Sequence, residues 1–237
     1  MAKNVKGKTL KCAVVTKHEI KKISSGVPAL DEMLHGGIPE GNSVLIAGDM
    51  GTGKTILTSQ ILYHGASLGE RCLFVSLEQR AEDIMDQCQQ FGWDIKSLVD
   101  SKKLLFSQHS ELDYESLEIS IENTLREYKD IKRVAIDPIS MLQIYFKSDI
   151  GFRIGLFRLL QLLKKYGVTV FLVDDQTNQS SLIHVSDGVI YLTLHKIDQR
   201  RTRSLEIMKM RKTPHELEPV HFQITKNGIE IYPHERI

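Results

Sequence analysis

The sequence predicts an α/β domain with a mostly parallel central sheet, flanked by helices and extended by antiparallel strands at its C-terminal end. Three observations carry this. Short apolar runs alternate with helical patterns from about residue 44 to residue 173, the order that βαβ units impose. From residue 187 onward, apolar runs follow one another with only turns between them, at Ile197-Asp198-Gln199 and Lys226-Asn227-Gly228. The first buried run, Val44 to Ala47, ends in a glycine-rich turn that opens a helix.

Taken in order, residues 9–16 form a candidate edge strand, and Val27, Leu30 and Leu34 fall at helical spacing until Gly36-Gly37 stops the pattern. Ile38 to Asn42 is a turn. The helix after the glycine-rich turn runs to about Leu68. Residues 72–77 are continuously apolar, as in a strand buried on both faces. Ile84, Cys88 and Phe91 point inward from a helix over 81–91, residues 103–108 make a further strand, and Leu117, Ile121 and Leu125 mark the next helix. Val134-Ala135-Ile136 runs into Asp137, where Pro138 removes a ladder donor. A helix over 150–166 carries Phe152, Leu156, Leu159, Leu160 and Leu163 on one face, with Arg158, Gln161 and Lys165 opposite. The strand at 168–173 follows, and after it the helices stop. Strands are expected at 187–194, 203–211, 219–225 and 229–232.

The glycine-rich turn is Gly48, Asp49, Met50, Gly51, Thr52, Gly53, Lys54 and Thr55, followed by Ile56. It matches G-x-x-x-x-G-K-[ST], the P-loop or Walker A pattern, in the strand-to-helix setting the pattern requires. Glycines let successive backbone N–H groups converge on one anion. The helix start adds partial positive charge there. Lys54 is placed to reach β- and γ-phosphates, and the Thr55 hydroxyl to ligate Mg²⁺. Nucleotide binding follows from these residues.

Composition bounds the rest. At 237 residues, with 41% hydrophobic and 26% charged residues, the chain suits one sizeable globular domain. No apolar stretch approaches the roughly eighteen residues of a membrane span, and no signal-peptide pattern opens the chain, so a cytoplasmic protein is expected. Cys12, Cys72 and Cys88 are scattered, with neither a C-x-x-C pair nor zinc spacing. The formal charge of +1 hides a split: residues 1–22 hold seven lysines against Glu19, which leaves the remainder at −5. Residues 1–22 read as a basic N-terminal extension, either a solvated arm or a contact for phosphates and acidic partners. The mildly acidic body argues against a broad nucleic-acid groove.

Beyond the P-loop, Glu78, Asp137 and the pair Asp174-Asp175 sit at strand ends, where open parallel sheets bind ligands. Asp137, after its apolar lead-in, is a Walker B pattern that holds Mg²⁺. Glu78 is placed to orient, or accept a proton from, an attacking water. Asp174 and Asp175 are either site groups or ordinary solvated caps.

On these stretches the sequence resembles the KaiC-like ATPases of the RecA superfamily. The resemblance is carried by Ser25 to Pro39, the P-loop, Ser76-Leu-Glu-Gln79, Phe91-Gly-Trp-Asp94, Ala135 to Ser140, Leu156 to Leu160, Ser186 to Ile190 and Lys209 to His215. It covers nearly the whole chain, with residues 23–237 as one KaiC/RecA-like ATPase domain, where the circadian clock protein has two in tandem. The resemblance implies ATP and Mg²⁺ as ligands and a homo-oligomer, a hexameric or other ring-like assembly, with ATP between subunits. It implies a trans-acting K-x-R motif, here Lys209 and Arg211, with His215 near the same site. Residues i and i+2 of a strand face one way, so both cations can meet one phosphate; without the resemblance they read as a solvated strand face. Gln176 stands where recombinases of the superfamily carry a γ-phosphate sensor.

The departures from the family pattern also set expectations. Clock-type domains carry two adjacent glutamates where this chain has Glu78 and Gln79, so hydrolysis is expected to persist but run slowly. The hydroxyl acceptors of the autophosphorylating clock domain are replaced by Leu182 and Ile183, so no autokinase of that kind is expected. The segment from Thr177 to Ser186 has no Lys or Arg, which weakens strand exchange as a function. The leading expectation is a Mg²⁺-dependent ATPase driving assembly or partner switching. The alternatives are a nucleotide-sensing module with little hydrolysis and a recombinase-paralogue-like DNA repair accessory.

Overall fold

A computed structural model describes residues 19–109, 113–175, 180–197 and 200–236. The chain opens with β1 (Lys22–Ile23), α1 (Pro28–Met33), β2 (Ile38–Pro39), β3 (Ser43–Gly48) and α2 (Lys54–Ser67). It continues through β4 (Arg71–Ser76), α3 (Ala81–Gln89), α4 (Ile95–Asp100), β5 (Leu104–Gln108) and α5 (Tyr114–Glu127). Next come β6 (Ile131–Asp137), a 3₁₀ helix (Ile139–Tyr145), α6 (Asp149–Lys165), β7 (Thr169–Asp174) and α7 (Ser180–Val185). It closes with β8 (Gly188–Ile197), β9 (Arg200–Met210), β10 (Val220–Thr225) and β11 (Gly228–Arg236).

Among the described residues, nine strands form one sheet in the order β11-β10-β9-β8-β3-β7-β6-β4-β5. The strands from β8 to β5 in that order run parallel, and β9, β10 and β11 add antiparallel partners. Side chains alternate between the two faces of each strand. Val44, Ile46, Phe74, Ala135 and Phe171 face the layer holding α1 to α4, while Leu45, Val75, Ile136 and Leu172 face the layer holding α5 to α7. Both faces are therefore buried, which is why these strands read as continuous apolar runs.

The caps are local. Asp113 accepts the backbone N–H groups of Glu115 and Ser116 at the start of α5, and Ser148 accepts that of Gly151 at the start of α6. Phe152, Leu156, Leu159, Leu160 and Leu163 of α6 are buried, as their spacing predicts. α2 differs: its cap is Gly53, with no side-chain capping bond, so its first N–H groups remain free for a ligand.

Away from the carboxyl ends of the strands, β6 carries a fully buried charge, Arg133. Its Nε donates to Glu70 at 2.6 Å, and its Nη1 donates to the carbonyls of Ser24 at 2.7 Å and Ile61 at 2.9 Å. Glycine at position 65 of α2 makes room for it, since a Cβ there would lie 2.4 Å from Arg133 Nε.

Several expectations need correction. Helices do not stop after residue 173: α7 packs against α6. The short α4 is also present, and Ile38–Pro39 pairs with Lys22–Ile23 rather than forming only a turn. β8 is not a purely antiparallel closing strand. It pairs parallel with β3 and antiparallel with β9, so the change of direction falls between β8 and β9. The helix expected to 91 ends at Gln89, which leaves Phe91 to pack at a tilt against Trp93. The strand expected at 9–16 lies outside the described residues, as do most of the basic extension and the residues Asp198-Gln199 of one expected turn.

Candidate functional site

β3 delivers the P-loop at the carboxyl ends of the parallel strands. Gly48 has φ +149° and passes so close to β8 that a Cβ would lie 2.0 Å from the Leu192 carbonyl oxygen. Gly53 has φ +107°, a conformation that disfavours side chains. Thr52 is buried and donates from its hydroxyl to the Asp49 carbonyl at 2.8 Å. Lys54, 5% exposed, folds back over the loop. Its Nζ donates to the carbonyls of Gly48 and Asp49, each at 2.8 Å, and pairs with Asp175 at 2.7 Å.

The Thr55 hydroxyl donates to Asp137 Oδ2 at 2.8 Å, joining the start of α2 to the end of β6. Burial pushes the Asp137 carboxyl up to about 6; the Thr55 bond and Lys54 oppose the rise, and Asp175 and Glu78 add to it. The Leu77 N–H donates to the Asp137 carbonyl at 2.8 Å, which holds the end of β4 against β6 and brings exposed Glu78 to the same cleft. This cleft of about 500 Å³ is lined by Gly51, Gly53, Lys54, Thr55, Ile56, Glu78, Gln79, Asp137 and Asp175. Arg203 and Ile224 close it from β9 and β10.

These residues fit a nucleotide and its metal. The loop leaves N–H groups uncapped where side chains would intrude. Among the described residues no group of three or more His, Cys, Asp or Glu gathers to hold a metal. One carboxylate bonded to one hydroxyl suits Mg²⁺, which is held mostly by water and phosphate.

The cations expected to act in trans lie elsewhere. Lys209 pairs with Val189 of β8, whereas Gly48 is level with Leu192. The Arg211 N–H meets the Asp187 carbonyl, five positions down from Leu192, or roughly 17 Å along the strand direction. Lys209 Nζ donates to the carbonyls of Ile183 at 2.9 Å and Ser186 at 2.6 Å. Burial, and then Arg211, draws its ammonium below the usual lysine range, against Asp187. Arg211 pairs with Asp187 at 3.1 Å. Nε2 of His215 is buried without a partner. The solvated-face alternative therefore does not describe Lys209. The structure gathers Lys54, Thr55, Glu78 and Asp137 in one cleft and keeps Lys209, Arg211 and His215 out of it. Gln176 lies outside the described residues.

Sequence reasoning left Asp175 undecided and missed Arg203. The pairing of Asp175 with Lys54 could be suspected from its strand-end position. Arg203 follows Arg200 and Arg201 in an unbroken polar run, and nothing in the run distinguishes it.

The parallel sheet, the P-loop at its carboxyl ends and the acidic residues beside it define an ATPase domain of the RecA superfamily. The chain belongs to the KaiC family of ATPases, whose family model matches residues 23–236. It is 33% identical, over 92% of its length, to the circadian clock oscillator protein KaiC of Acaryochloris marina, and spans 45% of that protein. It is 34% identical, over 91% of its length, to a UPF0273 protein of Thermotoga maritima, and spans 98% of it. The crystal structure of the KaiC-like protein PH0186 from Pyrococcus horikoshii OT3 matches with a TM-score of 0.83 at 31% identity, covering 91% of this chain and all of that one. The chain thus spans about half the length of the clock proteins and nearly all of the shorter relative. Among the described residues, no helix is long and apolar enough to cross a membrane.

Proposed function

We propose that this chain binds ATP with Mg²⁺ in the cleft from Gly48 to Ile56 and hydrolyses it slowly. The site is completed by Lys209, Arg211 and His215 of a neighbouring copy in a hexameric ring. One observation carries this reading: Lys54, Thr55, Glu78 and Asp137 share one end of the sheet, while Lys209 and Arg211 sit at the other, out of reach of their own cleft.

The loop N–H groups and the start of α2 receive the phosphates. Lys54 leaves the Gly48 and Asp49 carbonyls for phosphate oxygens, and Thr55 and Asp137, bonded to each other here, would hold the metal. Mg²⁺, when bound, neutralises charge that develops on the phosphates. Glu78 orients water for in-line attack on the γ-phosphorus and takes its proton. The bond to the β–γ bridging oxygen breaks, and ADP leaves with that electron pair. Lys209 and Arg211, arriving from the next subunit, stabilise the charge on the transferred group.

Gln79 lines the cleft where a second carboxylate would strengthen the base, so turnover is slow. That residue also supports a second reading, in which the protein mainly reports nucleotide state. Leu182 and Ile183 offer no hydroxyl for clock-type autophosphorylation. The output is an ATP-driven change of assembly or partner binding in the cytoplasm.

The test measures ATP turnover in wild type, Lys54→Ala, Glu78→Gln and Arg211→Ala, then in an equimolar mixture of the last two. Each of those variants is expected to be strongly impaired alone. The mixture recovers activity, because some interfaces pair an intact Glu78 with an intact Arg211. No recovery, or a monomer by mass photometry with and without ATP-Mg²⁺, sinks the shared site. Wild-type turnover equal to that of Lys54→Ala, with ATP still bound by wild type alone, favours the sensor.

A further inference from the structure

Lys54 has no donor to spare. An ammonium carries three N–H groups, and Nζ meets three acceptors: the Gly48 and Asp49 carbonyls at 2.8 Å each, and Asp175 Oδ1 at 2.7 Å. A phosphate oxygen reaches Nζ only by displacing one of the three. Two of them are neutral carbonyls of the loop itself. The third is a carboxylate, and the charge makes it the strongest competitor. The end of β7 places it there. Asp174 closes that strand, level with Ala47 of β3, and is fully buried. The next residue, Asp175, lines the cleft with its side chain 42% exposed. An ion pair between two exposed groups is worth little. Here the cation is buried, so water screens the pair less.

The strand order says which phosphate meets Asp175. β3 carries the loop, and Asp175, Asp137 and Glu78 approach it from the β7, β6 and β4 side. Bond cleavage belongs with the metal ligands and the base, so the γ-phosphate lies on that side. The β-phosphate lies over the loop N–H groups and the start of α2. An oxygen of ADP can therefore replace a carbonyl on Nζ and leave the Asp175 pair intact. ATP brings a second anion to the place that Asp175 already fills, and two anions at one donor repel.

We propose that Asp175 is a positioning residue that stands in for the γ-phosphate on Lys54 and so biases the cleft toward ADP. The proposal rests on reading the cleft as the ATP site. It deepens that reading by assigning the choice between two nucleotides to one side chain. Around Lys54 the empty and ADP-bound cleft are then alike, and entry of ATP is the step that breaks the pair.

The experiment titrates ATP and ADP, each with Mg²⁺, into wild type, Asp175→Asn, Asp175→Ser, Asp175→Glu and Lys54→Ala by isothermal calorimetry. Thermal unfolding of each variant is recorded alongside. Asp175→Asn keeps the shape and loses the charge. It tightens ATP by about five- to tenfold, the size of one partly buried ion pair, and leaves ADP within about twofold. Asp175→Ser repeats the shift and serves if the asparagine variant folds poorly. Asp175→Glu keeps the charge and with it the wild-type ratio of the two affinities. That ratio is the readout, because a merely structural fault weakens both nucleotides together. A ratio within about twofold of wild type in the uncharged variants overturns the proposal. So does equal tightening of ATP and ADP, which would make Asp175 a block to any phosphate. Weaker ATP overturns it too, and would place Asp175 with the metal. If Lys54→Ala binds both nucleotides as wild type does, the reading of the cleft itself has failed.

Discussion

The two ends of the sheet hold their cations in different ways. At the carboxyl ends of the parallel strands, Lys54 is closed over its own loop, bonded to two carbonyls and to Asp175. Every partner of that lysine is one a phosphate can displace, and the surrounding carboxylates give the cleft acidic chemistry. At the opposite end, Lys209 is held by the carbonyls of Ile183 and Ser186, and Arg211 by Asp187, itself anchored to Ser43. The carboxylate beside them, Asp187, is already engaged by Arg211 and Ser43. In the function proposed above, one end binds nucleotide and the other assists from a second copy.

The sharpest way to break this contrast is to remove the assisting end. Arg211→Ala should lower kcat by about 10³-fold, as expected for an arginine-finger-type group. The ATP Kd measured on isolated subunits should stay within about threefold, because binding belongs to the other end. Equal damage to both constants would mean that Arg211 acts through folding. Glu78→Gln should lower turnover by about 10²-fold, the lower range for loss of a positioned base, with ATP affinity retained. Unchanged turnover removes Glu78 from the chemistry.

Asp137 gives a smaller and pH-dependent effect. Its carboxyl, pushed up to about 6 by burial, is neutral below that pH and charged above it. A raised value in the folded protein means that stabilisation by the neutral form is complete below the ordinary carboxylate pKa and is lost as pH rises through about 6. Without metal, Asp137→Asn should therefore be more stable than wild type at pH 7.5, by at most about 2–3 kcal/mol, and unfold at a higher temperature. The gain should vanish near pH 4. Mg²⁺ should stabilise wild type and not the variant, since it binds the charged form. A pH-independent difference counts against this account.

The control for all of these is Gly65→Ala, on α2 and away from the catalytic groups. It forces Arg133 off its bonds to Glu70 and Ile61, with an expected cost of about 1–3 kcal/mol. Denaturant unfolding measures it. ATP turnover by the remaining folded protein should be unchanged.

Much of the fold was legible because its signals are local. Apolar runs of five or six residues with turn residues between them mark buried strands, and the stripe on α6 marks a long helix. The misses also have local causes. α4 and α7 are each six residues long, too short for a 3.6-residue period to establish itself. Ile38–Pro39 becomes a strand only because Lys22–Ile23 lies beside it. Lys132-Arg133 reads as surface charge, yet alternation on β6 turns Arg133 into the core beneath α2 and Lys132 outward. The site divides in the same way. Lys54, Thr55, Glu78 and Asp137 could be chosen from their motifs and strand ends. The partnership of Lys54 with Asp175, and the approach of Arg203, could not.

By itself the sequence determined that a phosphate-binding loop exists, and which residues line it. Backbone freedom, helix start, lysine and hydroxyl are all set within the eight contiguous residues from Gly48 to Thr55. Only the tertiary structure decided which charges meet that loop. Arg200, Arg201, Arg203 and Lys209 share one strand, with Arg211 just past its end, and all have similar chemistry. Their fates depend on register: Arg203 stands opposite Leu194, just beyond the level of the loop, and Lys209 opposite Val189, at the far end. Register is fixed by pairing between strands distant in sequence and by burial of their alternate side chains. No stretch of the chain carries that information alone.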